Sequence, residues 1–306
     1  CIVLFLLNYK MMQPLKGSLV ALVTPMDPDG GVDYDCLDKL IEWHIEEGTN
    51  GIVSVGTTGE SATVDFDEHI DVISHTVNYV DKRIPVIAGT GANSTSEALD
   101  LTLESKKVGA DYALLVTPYY NKPNQRGLIQ HYTKIADSVD IPQILYNVPS
   151  RTACDLLPDT AMILSNHKNI VGIKEAVNQT QRFKELVSIS QSNETFKVYS
   201  GDDPTFLQFL KEGGHGVISV AANVIPKAIS SICLAIREEN IEDANEINKK
   251  YSELYDLLFI ESNPIPVKWV LYKMGLIRNS LRLPLVSLDK KYEENIMSEM
   301  LKLKLL

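Results

Sequence analysis

The chain lacks the marks of several protein classes. Its 306 residues include only four cysteines, Cys1, Cys36, Cys154 and Cys233, and no two are spaced as C-x-x-C. That excludes a disulfide-dense scaffold and a cysteine-pair zinc site, and leaves free thiols in a reducing, cytoplasmic setting as the expectation. The six histidines form no H-E-x-x-H, so neither a metal nor a metal cofactor is expected. Basic charge is short as well. Lys and Arg number 29 against 40 Asp and Glu, a net charge of -11, which speaks against nucleic acid or an anionic membrane as partner. Long apolar runs are missing at the start, where residues 2–7 fall far below the ~20 that a membrane span needs. No basic region precedes that run and no A-x-A-like site follows it, which makes a poor signal peptide. We expect residues 1–12 to be an upstream extension, with a start at Met11 or Met12. No repeat, low-complexity tract or Gly/Ser linker divides the rest.

What is present is an alternation. Short, nearly continuous apolar runs rich in Val and Ile occur at 19–23, 51–55, 84–88, 112–116, 143–146, 170–174, 196–199 and 216–220. Such runs fit strands buried on both faces. Longer amphipathic stretches lie between them, at 34–47, 66–79, 95–108, 125–137 and 204–212. Asp33 and Ser94 stand where N-caps belong, and Gly48, Gly109 and Gly213 just past helix ends. Alternating strands and helices imply parallel pairing with right-handed crossovers. Eight units match a (β/α)8 TIM barrel, class α/β, over residues 13–238; an open doubly wound sheet is the alternative on pattern alone. Residues 239–306 read as a C-terminal helical extension packed on the barrel, with helices at 241–260, 265–274 and 292–303.

A barrel places its chemistry in the loops after the strands. After the second run stands Gly56-Thr57-Thr58-Gly59-Glu60-Ser61, whose backbone N–H groups could meet a carboxylate or phosphate, or which is simply a tight turn. No Gly-Lys-Ser/Thr follows, so it is not a P-loop. Gly89-Thr90-Gly91 lacks the third glycine of a dinucleotide fingerprint. Tyr119 and Tyr120 follow the fourth run and are either functional or interface tyrosines. The fifth ends at Tyr146, with Arg151 in a loop stiffened by Pro149. Arginine suits a carboxylate, and a rim salt bridge is its plain alternative. Lys174 closes the sixth run. A lysine ending an apolar strand is aimed into the barrel mouth, where desolvation can lower its pKa enough to free the amine for attack on a carbonyl, although nothing in the sequence shows that lowering. Pairing with Glu175 or Asp202 is the alternative. Asp202 and Asp203 are expected to cap the helix from Pro204, and His215 to be a turn residue.

Taken in order, VSVGTTGESAT, IPVIAGTGAN, VTPYYNKP, PQILYNVPSRT, IVGIKEA, SGDD, GGHGVISV and NPIPVKW resemble the bacterial dihydrodipicolinate synthase family, within the pyruvate-dependent Schiff-base aldolases. The likeness runs from about Gly17 to about Pro284. It implies condensation of pyruvate with L-aspartate-4-semialdehyde without a cofactor, in diaminopimelate and lysine biosynthesis. Residue by residue, it implies Lys174 as the Schiff-base lysine. It implies Tyr146, Thr57 and Tyr120 as a proton relay, with Thr57 and Thr58 holding the pyruvate carboxylate. Arg151 would receive the second substrate's carboxylate, and the backbone of Gly201 and Ile218 would line the pocket. Tyr120 would enter a neighbouring subunit's site, so a dimer, usually paired into a tetramer, is implied. Inhibition by L-lysine would use Ser61, Ala62, His69, Asn93, Glu97 and Tyr119. Phe66 stands where lysine-sensitive relatives carry a polar residue, so weakened but retained inhibition is expected. The rival expectations are another pyruvate-dependent aldolase, such as an N-acetylneuraminate lyase or a keto-sugar-acid aldolase, which would not need Arg151, and a barrel that has lost catalysis.

Overall fold

The computed structural model describes residues 15–306; the expectation for residues 1–12 lies outside the described residues. Eight parallel strands run in sequence order: β1 Gly17–Ala21, β2 Gly51–Ser54, β3 Val86–Gly89, β4 Tyr112–Val116, β5 Gln143–Asn147, β6 Ile170–Glu175, β7 Lys197–Ser200 and β8 Gly216–Ser219. β1 pairs with both β2 and β8, so the sheet closes into a barrel and the open-sheet alternative falls. The helices between strands are α1 Tyr34–Glu46, α2 Phe66–Val80, α3 Thr95–Lys107, α4 Gln125–Ser138, α5 Pro149–Thr152, α6 Pro158–Leu164, α7 Thr180–Ser192 and α8 Phe206–Lys211. After the last strand come α9 Pro226–Arg237, α10 Ile241–Leu257, α11 Ile265–Lys273 and α12 Lys290–Leu303. α10 packs on α9 and α12.

Side chains alternate along each strand, so every second residue enters the barrel and its neighbours face the helices. The interior is filled by Leu19, Val53, Ile87, Leu114, Ile144, Tyr199 and Ile218, all buried. Among the described residues these side chains form a packed plug, and each fully buried branched side chain contributes roughly 1.5–3 kcal/mol. The outward residues of β5 and β6, Leu145 and Ile173, pack against Leu128, Tyr132 and Phe183 of the surrounding helices. Closure and plug together leave the C-terminal mouth as the concave end at which loop side chains converge.

Local signals mostly act as their chemistry requires. Asp33 accepts a hydrogen bond from the backbone N–H of Cys36 at the start of α1. Gly48, Gly109 and Gly213 adopt φ of +84°, +97° and +104°. Ser94 departs from expectation: it sits at the N-cap of α3 without capping, its hydroxyl paired with that of Ser96 at 2.9 Å. The helix expected from Pro204 begins instead as a 3-10 turn over Asp203–Thr205 and becomes α-helical at Phe206. Asp202 does accept from the Thr205 hydroxyl. Asp203 turns away to accept the backbone N–H groups of Val220 and Ala221, at 3.0 and 2.8 Å, and so ties β7 to the loop after β8. His215 is a turn residue whose Nδ1 accepts the N–H of Val198.

Candidate active site

Lys174 and Tyr146 stand opposite each other in the β5–β6 register, both turned inward. The Lys174 Nζ lies 4.2 Å from the centre of the Tyr146 ring. Above them opens a cavity of about 740 Å³, lined by Thr57, Thr58, Tyr146, Arg151, Lys174 and Gly201 among others. Six of the residues singled out in the sequence are thereby brought together from the ends of β2, β5, β6 and β7. Gly201 is needed for its lack of a side chain, because a Cβ there would come within 2.8 Å of the Lys174 Cε. Two others are not brought in. Ile218 belongs to the packed layer beneath, and Val220, two residues on, lines the cavity instead. Tyr120 is 89% exposed, at φ +75°, outside the cavity of its own chain.

Lys174 forms no ion pair among the described residues. Glu175 pairs with Arg182 instead, and Asp202 with the Thr205 hydroxyl. Burial pulls the Lys174 ammonium down to about 7, Asp203 opposing and Arg151 adding to the fall. The amine is therefore substantially neutral near pH 7, where an ordinary lysine is almost wholly protonated. Tyr146 moves the other way. Burial pushes its phenol up to about 12, against the pull of Arg151 and of a hydrogen bond with Thr57, so it remains a proton donor at neutral pH. A neutral amine beside a protonated hydroxyl, in a site with a nearby guanidinium, is equipped to attack a ketone and shuttle the protons released.

Arg151 sits in the single turn of α5, which Pro149 starts. It makes no rim salt bridge among the described residues. Its guanidinium donates to the Asn263 carbonyl at 3.3 Å, and the Asn263 amide donates to the Thr58 hydroxyl at 2.9 Å. One residue of the C-terminal extension thus joins the two predicted carboxylate-binding positions. Asn263 opens the NPIPVKW motif, but nothing local in the sequence reveals its contacts 112 and 205 residues away. Glu60 and Lys268, 208 residues apart, are equally invisible as a pair in the sequence. Lys268 Nζ lies 2.5 Å from Glu60 Oε1, both side chains fully buried. The Gly56–Glu60 turn they hold is strained, with Val55 at φ +52° and Glu60 at φ +60°.

A second cavity, about 520 Å³, is lined by Ser61, Ala62, Phe66, His69, Glu97 and Tyr119 among others, and shares Thr57 and Arg151 with the first. Of the six residues expected around an inhibitor, only Asn93 is not on its wall. His69 Nε2 is 2.6 Å from the Gly89 carbonyl, and burial lowers the ring's pKa, that hydrogen bond opposing. Among the described residues no group of three or more His, Cys, Asp or Glu could hold a metal ion.

Comparison with known proteins converges on one family. The model of the Dihydrodipicolinate synthetase family matches residues 14–303. A 4-hydroxy-tetrahydrodipicolinate synthase of Stutzerimonas stutzeri is 55% identical over 286 residues, 94% of this chain and 97% of that protein. One of Pseudomonas aeruginosa is also 55% identical, over 94% of this chain. Among solved structures, a chloride-inhibited dihydrodipicolinate synthase from Acinetobacter baumannii complexed with pyruvate superposes with a TM-score of 0.92 at 51% identity, over 95% of this chain and all of that one. A lysine-bound enzyme from Cyanidioschyzon merolae gives 0.92 at 36% identity, covering 96% and 100%. With nearly its whole length matched, at identities well above those at which fold and family diverge, this chain belongs to the dihydrodipicolinate synthetase family.

Proposed function

We infer that the chain is a Schiff-base lyase that condenses pyruvate with L-aspartate-4-semialdehyde to give 4-hydroxy-tetrahydrodipicolinate, the activity of relatives 55% identical to it. The observation that carries the mechanism is Lys174, an unpaired amine with its pKa pulled to about 7, facing Tyr146 at the floor of a cavity that also holds Arg151. Lys174 attacks the pyruvate ketone, water departs, and the iminium withdraws electrons so that a methyl proton can leave. The resulting enamine adds to the aldehyde carbon of the second substrate. Thr57 and Thr58 hold the pyruvate carboxylate, and Arg151 receives the carboxylate of the aldehyde. Tyr146 passes protons, since its hydroxyl both gives and accepts. Ring closure by the second substrate's amine then displaces Lys174. Tyr120 completes the relay in the cavity of a second copy of the chain, its exposure in a single chain being what such a role needs. The Acinetobacter relative solved with pyruvate supports pyruvate as ligand here. A keto-sugar-acid aldolase would have no use for an arginine at position 151.

The direct test is the initial rate with both substrates, coupled to a reductase that consumes the product. The rate should vanish when either substrate is omitted. Its pH dependence follows from the shifted amine. The reactive neutral form accumulates as pH rises through about 7, so below that the rate should climb about tenfold per pH unit and then level. A limb still climbing at pH 9 would mean that Lys174 keeps an ordinary pKa.

The second cavity is the proposed L-lysine site, the Cyanidioschyzon relative having been solved with lysine bound. Glu97 is placed to pair with the ligand's amine. Phe66 at the start of α2 lines the cavity but can donate nothing, a loss of about 1 kcal/mol. Titration with L-lysine should give weak inhibition, and Phe66→His should lower the half-inhibitory concentration about fivefold. Activity that stays flat across millimolar lysine in both proteins would remove this site.

A further inference from the structure

On the helix side of β5 and β6, immediately behind Tyr146 and Lys174, lies a polar cluster that the reaction does not touch. Asn147 and Glu175 are the next residues along the two strands and face each other in register. Alternation sends both outward, away from the cavity. The Asn147 amide donates to both Glu175 oxygens at 3.1 Å and to Asp155 at 2.8 Å, while its carbonyl accepts the N–H of Leu156 at 2.9 Å. Glu175 also accepts the N–H of Val177 at 2.8 Å. Arg182, from α7, closes the cluster. It binds Asp155 through two nitrogens at 2.9 and 2.7 Å and reaches Glu175 at 3.3 Å. Glu175 is wholly buried in its side chain and Arg182 nearly so. Burial pushes the Glu175 carboxyl up to about 7, against the pull of Val177, Asn147 and Arg182.

A buried ion cluster is a poor source of net stability, since hydrophobic side chains of similar volume would serve as well or better. What it supplies is geometry. The tips of β5 and β6 are the last paired residues before their loops, and each outward residue here is bonded in several directions at once. Turning Glu175 or Asn147 about the strand axis would turn Lys174 or Tyr146 with it. We propose that Glu175, clamped by Asn147 and Arg182, is a positioning residue that sets the orientation of the Lys174–Tyr146 pair, with Asp155 anchoring the clamp to the loop after α5. The proposal rests on Lys174 being the Schiff-base lysine. Misplacement of a reacting group by about 1 Å can cost about 100-fold in rate.

The test is the rate at which pyruvate becomes trapped on Lys174 by cyanoborohydride, followed by intact mass and peptide mapping over a range of pyruvate concentrations. In Glu175→Gln and Arg182→Ala, the maximal trapping rate should fall about tenfold or more. The half-saturating pyruvate concentration should stay within about twofold, because Thr57 and Thr58, on the β2 loop, are outside the cluster. Arg182→Lys, which keeps the charge, should recover part of the rate. A purely structural role would lower thermal stability and leave the maximal rate per folded molecule intact, and that result overturns the proposal. If either variant fails to fold, Asp155→Asn, at the half-exposed edge of the cluster, carries the same comparison in milder form. Absence of trapping in the unaltered protein would instead refute the reading of Lys174 itself, and so separates the two failures.

Discussion

Replacing Lys174 with Met should lower kcat by about 10^4-fold or more, and abolish borohydride-trapped pyruvate, while the protein stays folded. A nucleophile that forms the covalent intermediate has no substitute nearby, and losses on the order of 10^4 to 10^6 are usual when such a residue is removed. Stability should move the other way. The folded-state pKa of Lys174 is about 7, against an ordinary 10.5. Between those values the unfolded chain binds more protons, so the buried lysine costs stability that is recovered only as pH rises toward 10.5. At pH 7 nearly the whole cost is present, on the order of several kcal/mol. Methionine carries no charge and fills much the same volume, so the denaturant midpoint of Lys174→Met at pH 7 should equal or exceed that of the unaltered protein. An inactive variant with a lower midpoint would mean that Lys174 is structural, and retained turnover would remove it from the chemistry.

Lys268→Met should produce the largest loss of stability, about 3–5 kcal/mol by chemical denaturation. The change removes one member of a fully buried pair and leaves the Glu60 carboxylate without its cation. Burial already holds the Lys268 ammonium below its ordinary pKa, Glu60 opposing, which marks how little solvent reaches the pair. The same ammonium donates to the Thr24 carbonyl at 3.0 Å, and Thr24 in turn donates to the Gly59 carbonyl at 2.8 Å. The second Glu60 oxygen accepts the N–H of Arg282 at 3.0 Å. The pair therefore binds the turn carrying Thr57 and Thr58 to both β1's loop and the C-terminal extension. Activity should fall further than the unfolded fraction accounts for, with KM for pyruvate raised. Replacing both partners, Glu60→Gln with Lys268→Met, should be milder than Lys268→Met alone, because no bare charge remains. Equal losses in the single and double variants would show that packing, and not charge pairing, holds the turn.

Much of this was legible in the chain. Eight short β-branched runs separated by amphipathic stretches dictated a parallel α/β architecture, and the residues ending the second, fifth and sixth runs marked the candidate site, because strand ends are where a barrel delivers side chains. Lys174 could be singled out locally, since a lysine ending an apolar strand is unusual wherever it occurs. Closure was expected from the count of eight units but not fixed by it: pattern alone also allowed an open sheet, and the pairing of β1 with β8 decides for the barrel. The environment of Lys174 was not legible. Pairing with Glu175 or Asp202 stood as an alternative in the sequence, but Glu175 is one residue out of phase and points to Arg182, while Asp202 is held by Thr205. Burial from several strands at once is what lowers the amine's pKa, and no window of sequence contains it. Asn263, Lys268 and Arg182 were unreadable for the same reason: each acts on a turn or strand brought near by the fold. By itself the sequence determined the family and the strand-helix order and singled out the candidate nucleophile, all of which follow from local pattern or a run of motif residues. The tertiary structure alone decided which charges are paired and which buried amine is left free, because desolvation and ion pairing depend on distance in space and not on separation along the chain.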